Sequence, residues 1–371
     1  MLRHPTPLFP NMAFSIFRTA QRTHSFRVPA RSIFCSPATD TAGYGSGPPP
    51  SRFGPRHFLS VDDVTSPEFE HLVDLAKKAK RAIRAGQTIP SLKDTLAGRT
   101  VAMMFSKRST RTRVSTEAAV AHLGGHPMFL GMDDIQLGVN ESLLDTSKVI
   151  SSMVSCVVAR VACHSDIVQL SKTSAVPVIN ALSDTFHPLQ AVTDIFTITE
   201  CFPDPKGIKI AWVGDANNVL YDLAIACGKC GINLSIATPS VYPVPPDTLQ
   251  LARNAAYLSG SSIETTHEPE TAVKGAHIIA TDTWVSMGQE SEKALRLKQF
   301  SGFQVSSNLA KRGGANGDWK FMHCLPRKPE EVTDEVFYSP RSLVFTEAEN
   351  RLYAAIATLV AFVVKRGKFG G

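Results

Sequence analysis

The chain contains 371 residues, of which 43% are hydrophobic and 19% are charged, and its formal net charge is +6. This length is enough for two domains, and the composition is ordinary for a globular protein. The longest apolar run, 354–364, is too short to span a membrane and ends at Lys365-Arg366. We therefore predict no membrane partner.

The first 39 residues differ from the rest of the chain. They contain five arginines and no Asp, Glu or Lys, and apolar Ala13, Phe17 and Ala20 recur at helical spacing. Such a segment is typical of a mitochondrial transit peptide, which predicts a location in the mitochondrial matrix; a disordered basic tail is the alternative. Without these arginines the formal charge would be +1, so we predict no nucleic-acid partner. Residues 40–56 are predicted to be a flexible linker rich in Gly and Pro.

The remaining chain alternates predicted helices and strands. In the first half, we predict helices at 65–86, 114–123, 143–154 and 167–172, and strands at 100–105, 127–130, 156–161 and 176–182. In the second half, we predict helices at 188–200, 219–229, 247–258, 290–299, 329–338 and 349–365, and strands at 208–213, 233–237, 277–281, 321–324 and 343–345. Repeated βα units indicate parallel sheets with helices on both faces. The predicted fold class is therefore α/β, with two doubly wound parallel-sheet domains and an active site in the cleft between them.

The most informative stretch is 105–113 (FSKRSTRTR), which joins the first predicted strand to a helix. The first N–H groups of a helix lack intrahelical partners and the helix dipole is positive there, so an anion is favoured. Ser109, Thr110 and Thr112 add hydroxyl groups, and Arg111 can bind a phosphate through two parallel hydrogen bonds. A basic patch for nucleic acid or nuclear import is the alternative, but such a patch does not need three hydroxyls.

Further polar residues stand within or after predicted strands in the first half. Arg160 lies in an apolar strand, where a charge is costly unless it is paired; it could bind a ligand or simply pair with an acid. His187 and Gln190 straddle a helix start, where they could hydrogen-bond a carbonyl group or form only a capping cluster.

Similar positions in the second half suggest an amino-acid site. Residues 214–218 (GDANN) lack the G-x-G-x-x-G pattern, which excludes NAD, and Asn218 is a candidate for binding a carboxylate. Asp282, followed by the Ser286-Met287-Gly288 loop, suits an amino-group site with a closing lid. Cys227 and Cys230 have metal-site spacing, but no second pair completes the site, so we predict no metal.

Four motifs together resemble one family, the aspartate/ornithine carbamoyltransferases. They are residues 109–113 (STRTR), 187–190 (HPLQ), 282–288 (DTWVSMG) and 323–327 (HCLPR), and the last two resemble the ornithine branch. The resemblance covers residues 57–365. It implies transfer of a carbamoyl group from carbamoyl phosphate to the δ-amino group of L-ornithine, which gives L-citrulline and phosphate in arginine biosynthesis. It also implies that no metal or organic cofactor is needed.

The resemblance assigns a role to each part of the chain. It implies a carbamoyl-phosphate-binding domain at 57–190, completed by helix 349–365, and an ornithine-binding domain at 191–345. The residues implied to bind carbamoyl phosphate are Ser109, Thr110, Arg111, Thr112, Gln136, Arg160, His187, Gln190, Cys324, Leu325 and Arg351. Those implied to bind ornithine are Asn218, Asp282, Ser286 and Met287. Family members are trimers, so we expect a homotrimer with shared active sites in which Gln136 reaches a neighbour's phosphate.

The residue types suit this chemistry. Arg111 and His187 can stabilise the oxyanion that forms on the carbamoyl carbon. Cys324 can accept the proton of the amine if it is a thiolate, which nearby arginines would favour. A carbamoyltransferase for another amine, such as putrescine, is the closest alternative, although Asp282 favours a free α-amino acid. A catalytically silent binding protein is the other, although Arg111, His187 and Cys324 are all present.

Overall fold

The computed structural model describes residues 54–87, 92–132, 134–135, 141–286 and 289–369. The predicted transit peptide and most of the predicted linker lie outside the described residues, as do Gln136 and Met287. Among the helices of the described ranges, none is both long enough and apolar enough to cross a membrane.

The first half of the described chain builds a four-stranded parallel sheet. Its strands are β1 (Thr100–Phe105), β2 (His126–Leu130), β3 (Cys156–Arg160) and β4 (Val178–Leu182), in the order β2-β1-β3-β4. Its helices are α1 (Ser66–Arg84), α2 (Thr110–His122), α3 (Leu143–Met153) and α4 (His164–Thr173). All eight were predicted, β1 with the same boundaries and the other seven with shifted ones. The cap of α1 follows the sequence pattern, because Thr65 and Glu68 form a capping box.

The second half builds a five-stranded parallel sheet. Its strands are β5 (Lys209–Val213), β6 (Asn233–Ala237), β7 (Ile263–Thr266), β8 (Ile278–Ala280) and β9 (Lys320–Met322), in the order β7-β6-β5-β8-β9. The helices are α5 (Pro188–Cys201), α6 (Asn218–Lys229), α7 (Pro246–Ser259), α8 (Pro269–Val273), α9 (Lys293–Gln299), α10 (Ser307–Gly313), α11 (Asp334–Phe337) and α12 (Val344–Leu359), which continues as a π-helical turn, Val360–Val364. The predicted α/β class with two parallel sheets is confirmed.

Several predictions in the second half were wrong. The strand expected at 343–345 is the start of α12, and the pairing there is one isolated bridge between Phe321 and Ser342. The helix expected at 329–338 is shortened to α11. Strand β7 was missed because it is a short edge strand whose two middle residues are exposed, and such a strand shows little apolar signal. Helices α8 and α10 were missed as well; each is too short to show a helical period.

The C-terminal helix packs against helices from both halves of the described chain. Helix α12 packs against α1, α2 and α5. One continuous apolar cluster contains Met103 of the first sheet, Trp212 of the second and Ile356 of α12. Because the strands of each sheet run parallel, their carboxyl ends lie at one edge of that sheet. The segments that contain the predicted motifs follow the strands at this edge.

Gly214, directly after β5, lies at a close approach. Its φ is 155°, and a Cβ there would meet Thr281 Oγ1 at 2.7 Å. That hydroxyl donates to Val213 O and thereby fixes the end of β5 against the residue that follows β8. A side chain at position 214 would therefore push apart the two strand ends that carry Asn217 and Asp282.

Candidate active site

The predicted anion site lies where β1 is followed by α2. The helix begins at Thr110, earlier than predicted, and Ser109 is its N-cap residue, whose hydroxyl accepts a hydrogen bond from Thr112 N at 3.4 Å. Ser109, Thr110, Arg111 and Thr112 therefore lie in or just before the first turn. The positive end of the helix dipole and the free N–H groups at this turn favour an anion.

Three arginines form a cationic cluster close to this turn: Arg111 of α2, Arg160 at the end of β3 and Arg351 of α12. Within the described ranges, the Arg160 guanidinium makes no hydrogen bond or ion pair, and its buried Nε has no partner. Burial, and then the charges of Arg351 and Arg111, lower the pKa of Arg160 to about 10. Because an unpaired buried charge is costly, this cluster favours a bound anion.

His187 and Gln190 lie at the start of α5 and contact the same arginine. Arg351 donates to Gln190 Oε1 through Nη1 and to Thr112 Oγ1 through Nη2, the latter at 2.9 Å. Its Nη1 also lies 3.5 Å from His187 Nε2. Burial and the three arginines lower the pKa of His187 well below its usual value. The imidazole is therefore neutral and can donate one hydrogen bond to a carbonyl oxygen.

Two buried carboxyls lie on the other side of Gln190. Gln190 Nε2 donates to Asp194 Oδ1 at 2.7 Å and to Glu347 Oε1 at 2.9 Å, and Glu347 Oε2 accepts from His323 N at 3.1 Å. Burial raises the pKa of Asp194 to about 7, and it raises the pKa of Glu347 well above its usual value. We had not assigned either carboxyl a function from sequence.

Asp282 and Cys324 meet after the ends of β8 and β9. Asp282 is 5% exposed; its Oδ1 accepts from the Cys324 thiol at 3.2 Å and its Oδ2 accepts from Asn217 Nδ2 at 2.8 Å. Asn217 is also the N-cap of α6, because its Oδ1 accepts from the N–H groups of the next turn. The sequence analysis chose Asn218 and missed Asn217, although Asn is a preferred N-cap residue.

The protonation state of Cys324 differs from the sequence-based expectation. We expected the arginines to favour a thiolate. Instead, burial raises the pKa of the Cys324 thiol well above its usual value, and the charges of Asp282, Glu347 and Asp194 raise it further. Cys324 is therefore a neutral thiol in this arrangement, because desolvation and three carboxyl groups outweigh the arginines.

The loop after β9 touches both halves of the site. Arg111 Nη2 donates to Leu325 O at 2.6 Å. Leu325 has a φ of 64°, which side chains other than glycine rarely adopt. The turn is fixed by His323, whose Nδ1 accepts from Leu325 N at 2.9 Å and whose Nε2 lies 3.2 Å from Glu331 Oε2. Ligands bound near Arg111 and near Cys324 would therefore contact the same loop.

Asp282, His323 and Cys324 have the side chains of a metal site, with ligand atoms within 4.8 Å of one another. Both ring nitrogens of His323, however, are already used by Leu325 N and Glu331. We therefore assign no metal to this group. Cys227 and Cys230, the other pair with metal-site spacing, are buried free thiols in the apolar core.

The remaining predicted residues are less closely connected. Asn218 Nδ2 donates to Ser183 O, after the end of β4. Ser286 N donates to Gln289 Oε1 at 3.0 Å. Thus the structure brings the predicted arginines, His187, Gln190, Asp282, Cys324 and Leu325 into one connected site, with Asn218 and Ser286 on segments that flank it.

Comparisons with known proteins agree with this geometry. The family model described as "Aspartate/ornithine carbamoyltransferase, carbamoyl-P binding domain" matches residues 56–200, and the "Asp/Orn binding domain" of the same family matches residues 206–362. Among curated proteins, the chain is 62% identical to a mitochondrial ornithine carbamoyltransferase of Emericella nidulans over 86% of this chain and 92% of that protein. It is 50% identical to the ornithine carbamoyltransferase of Saccharomyces cerevisiae over 85% of this chain and 96% of that protein.

Solved structures show the same similarity. A crystal structure of a mitochondrial ornithine carbamoyltransferase from Coccidioides immitis matches with a TM-score of 0.81 and 59% identity, over 85% of this chain and 100% of that chain. The enzyme from Pyrococcus furiosus matches with a TM-score of 0.80 and 44% identity, over 84% and 98% of the two chains. The chain therefore belongs to the aspartate/ornithine carbamoyltransferase family.

Proposed function

We propose that this chain transfers the carbamoyl group of carbamoyl phosphate to the δ-amino group of L-ornithine, giving L-citrulline and phosphate, as a step of arginine biosynthesis in the mitochondrial matrix. The observation that carries this proposal is the pairing of two unlike regions in one site. An arginine cluster at the start of α2 faces the loop that bears Cys324 and Leu325, and Cys324 in turn contacts Asp282.

The arginine cluster would bind the phosphate. Arg111, Arg160 and Arg351 supply positive charge, and Ser109, Thr110 and Thr112 supply donors at the helix start. A charge-assisted hydrogen bond is worth roughly 1.5–3 kcal/mol, so several of them can hold a dianion in place. Support comes from Arg160, whose guanidinium has no protein partner among the described residues.

The carbamoyl group would lie between the start of α5 and the loop after β9. His187, as a neutral imidazole, and Arg111 would donate to the carbonyl oxygen and stabilise the oxyanion of the tetrahedral intermediate. Gln190 and the Leu325 carbonyl would accept from the carbamoyl NH2 group. Carbamoyl phosphate would then compete with Arg351 for Gln190 Oε1 and with Arg111 for Leu325 O.

Ornithine would bind on the Asp282 side. Asp282 and Ser286 would hold the α-amino group, while Asn218 and the Met287 backbone would hold the α-carboxylate. The buried Asp282 carboxylate supports this assignment, since an ammonium group would neutralise it. The same contact would weaken the hydrogen bond that Cys324 now donates to Asp282.

The amine must lose a proton before it can attack. Its reference pKa is about 10.4, so at a pH near 7.4 the neutral amine costs about 4 kcal/mol, at 1.36 kcal/mol per pKa unit. Positive charge from the arginine cluster lowers that cost. Cys324 would lose its own proton to solvent and then, as a thiolate, accept one proton of the amine, and the departing phosphate would take up the second. Alignment of the two substrates could contribute up to about 7–11 kcal/mol.

We also propose a homotrimer in which active sites are shared. Support comes from exposed apolar side chains on β2, on the residues after it and on α3, which flank Gln136 in the sequence. They are Met128, Met132, Leu144, Val149 and Met153, which are between 39% and 69% exposed. In this proposal they pack against a neighbouring subunit and Gln136 reaches the neighbour's phosphate.

The proposed function also divides the chain into two domains. Residues 57–190 with the C-terminal helix would form the carbamoyl-phosphate domain, and residues 191–345 would form the ornithine domain.

The test measures phosphate release and ureido-product formation from carbamoyl phosphate, with L-ornithine, L-aspartate and putrescine offered in parallel to the purified protein. We expect turnover with ornithine only. Turnover with putrescine alone would move the assignment to another amine. Carbamoyl phosphate binding without turnover with any acceptor would overturn the proposed activity.

A further inference from the structure

The buried carboxyls of Asp194 and Glu347 have no part in the chemistry proposed above, yet they stand directly behind it. They are 3% and 2% exposed. Asp194 is on α5, one helical turn after Gln190, and Glu347 is in the first turn of α12, one turn before Arg351. Each therefore lies on the same helix face as a residue of the carbamoyl side, as side chains four apart on a helix do.

The two carboxyls lie side by side, because Gln190 Nε2 donates to one oxygen of each, at 2.7 and 2.9 Å. A proton on one carboxyl would let it donate to the other, which two carboxylates cannot do. Two negative charges side by side in a buried site would also repel each other strongly. The pair therefore carries one proton and one negative charge, and the proton belongs to the pair rather than to either residue.

The charged groups around the pair fit a single negative charge. Arg351 faces it from α12, and Asp282 and Cys324 face it from the loops after β8 and β9. The neutral His187 is the N-cap residue of α5, three residues before Gln190, and the His323 ring is turned towards Glu331. Among the described residues that act most strongly on the pair, Arg351 is the cation, and its charge balances one shared negative charge. A doubly ionised pair would add to the charge of Asp282.

The pair determines which way the Gln190 amide points. Both hydrogens of Nε2 are directed to the carboxyls, at 2.7 and 2.9 Å, so Oε1 is turned towards Arg351 and the carbamoyl side. Glu347 Oε2 also accepts from His323 N, the residue before Cys324. A small cavity of about 10 Å³ is lined by Asp194, Glu347, His323 and Cys324, among others, so the pair and the thiol border the same space.

We propose that Asp194 and Glu347 are positioning residues that share one proton, and that this pair fixes the Gln190 carbonyl towards the carbamoyl group while holding the backbone next to Cys324. The pair thereby sets the distance between the residues that would bind carbamoyl phosphate and the residues that would bind ornithine. This inference rests on the proposed carbamoyl transfer, which it extends to two residues outside direct substrate contact.

The first experiment compares removal of a carboxyl with its replacement by an amide. Glu347→Ala leaves the N–H groups of Gln190 and His323 without their acceptor, so we expect kcat/KM to fall about 100-fold, the order of one lost hydrogen bond to a charged group. Asp194→Asn keeps Oδ1 as the acceptor of Gln190, and its amide can donate to Glu347 in place of the shared proton, so we expect its kcat/KM to stay within about fivefold of the parent. Asp194→Ala should fall as Glu347→Ala does. Asp194→Asn as poor as Asp194→Ala would overturn the shared proton.

The second experiment does not depend on turnover. The infrared spectrum of the parent at neutral pH should contain the carbonyl band of a buried carboxylic acid, and inorganic phosphate should shift it, because Gln190 and Arg351 move when the anion binds. The band should be absent from both Glu347→Gln and Asp194→Asn. Asp63→Asn is the matched control, since the partners of the Asp63 carboxylate among the described residues are Leu59 N and Ser60 N; it should keep the phosphate-sensitive band.

These outcomes separate the inference from the proposed function. Parent turnover with ornithine, combined with no carboxylic-acid band, would refute the shared proton and leave the carbamoyl transfer standing. A band that does not respond to phosphate would show that the pair is structural only. A phosphate-sensitive band in a parent without turnover would support the pair and refute the activity.

Discussion

The two halves of the site satisfy their polar groups in different ways. On the arginine side, Arg160 Nε, Arg351 Nε and His187 Nδ1 are buried and have no hydrogen-bond partner within the described part of the chain. On the acceptor side, both oxygens of Asp282 and both nitrogens of His323 are hydrogen-bonded within the protein. One half is thus incomplete without an anion, and the other is complete without a ligand.

This difference indicates how much free energy each half of the site can gain when its ligand binds. Unpaired buried donors cost about 1–3 kcal/mol each in the folded protein, and an anion returns that energy when it binds. On the acceptor side a ligand must first replace an existing bond, such as that between Cys324 and Asp282. Substitutions on the arginine side should therefore lower activity and raise the free energy of unfolding. Substitutions on the acceptor side should change the rate without stabilising the folded protein.

The largest effect is expected at Arg111, which contacts both halves. Arg111→Ala removes a phosphate ligand, an oxyanion donor and the bond to Leu325 O, so we expect activity to fall by at least about 10³-fold, as for loss of an oxyanion donor. The fold should persist, because Arg111 is only partly buried. Arg113→Ala is the matched control, since Arg113 is exposed and pairs with Glu117. Near-normal turnover of Arg111→Ala would remove the central assignment.

Arg160→Met tests directly whether a loss of activity on the arginine side comes with a gain in stability. Loss of a phosphate ligand should lower kcat/KM about 10²-fold, on the scale of one or two charge-assisted hydrogen bonds. Burial disfavours the charged form of this side chain, so its replacement by an apolar side chain of similar length should raise the free energy of unfolding by about 1–3 kcal/mol. Chemical denaturation at pH 7.5 measures the second effect. A variant that is both inactive and less stable would show that Arg160 has a structural partner.

Cys324→Ser should have a smaller effect on rate than Arg111→Ala, about 10²-fold in kcat, the lower end of the scale of general-base catalysis, with little change in binding of either substrate. The direction of the pH dependence follows from the raised pKa of the thiol: at neutral pH it is protonated, so the parent's rate should rise with pH as the thiolate fraction grows. The serine variant should lack that rise. An unchanged pH–rate profile in Cys324→Ser would show that Cys324 is not the base.

The strand ends explain why so much of this site could be predicted. Arg111, Arg160, His187 and Asp282 each lie in or just after a strand with a clear apolar pattern, and in parallel sheets such positions converge. The local sequence was therefore enough to place them. Their chemistry was harder to predict, because the state of Cys324 depends on Asp194 and Glu347, which reach it from α5 and α12.

Long-range contacts were the part that the sequence could not supply. Glu347 is 157 positions from the glutamine it contacts, and nothing in its own surroundings marks it as different from an ordinary first-turn acid of a helix. Asp194 looks like one polar residue in an apolar helix. Asn217 was overlooked because its neighbour Asn218 has the same side chain, and only the cap geometry separates the two.

The smallest expected effect is a difference between the two substrates as stabilisers. Inorganic phosphate should satisfy the unpaired donors of the arginine side and raise the melting temperature; at 100 times its Kd the gain would be about 2.7 kcal/mol. L-ornithine alone should raise it much less, because it must displace the bond from Cys324 to Asp282 while the arginine cluster remains uncompensated. Thermal unfolding with phosphate, with ornithine and with both measures this, and Arg160→Met should lose most of the phosphate response. If ornithine alone stabilised the protein as much as phosphate does, the hydrogen bonds within the acceptor half would not weaken ornithine binding. The two halves would then not differ in the way proposed.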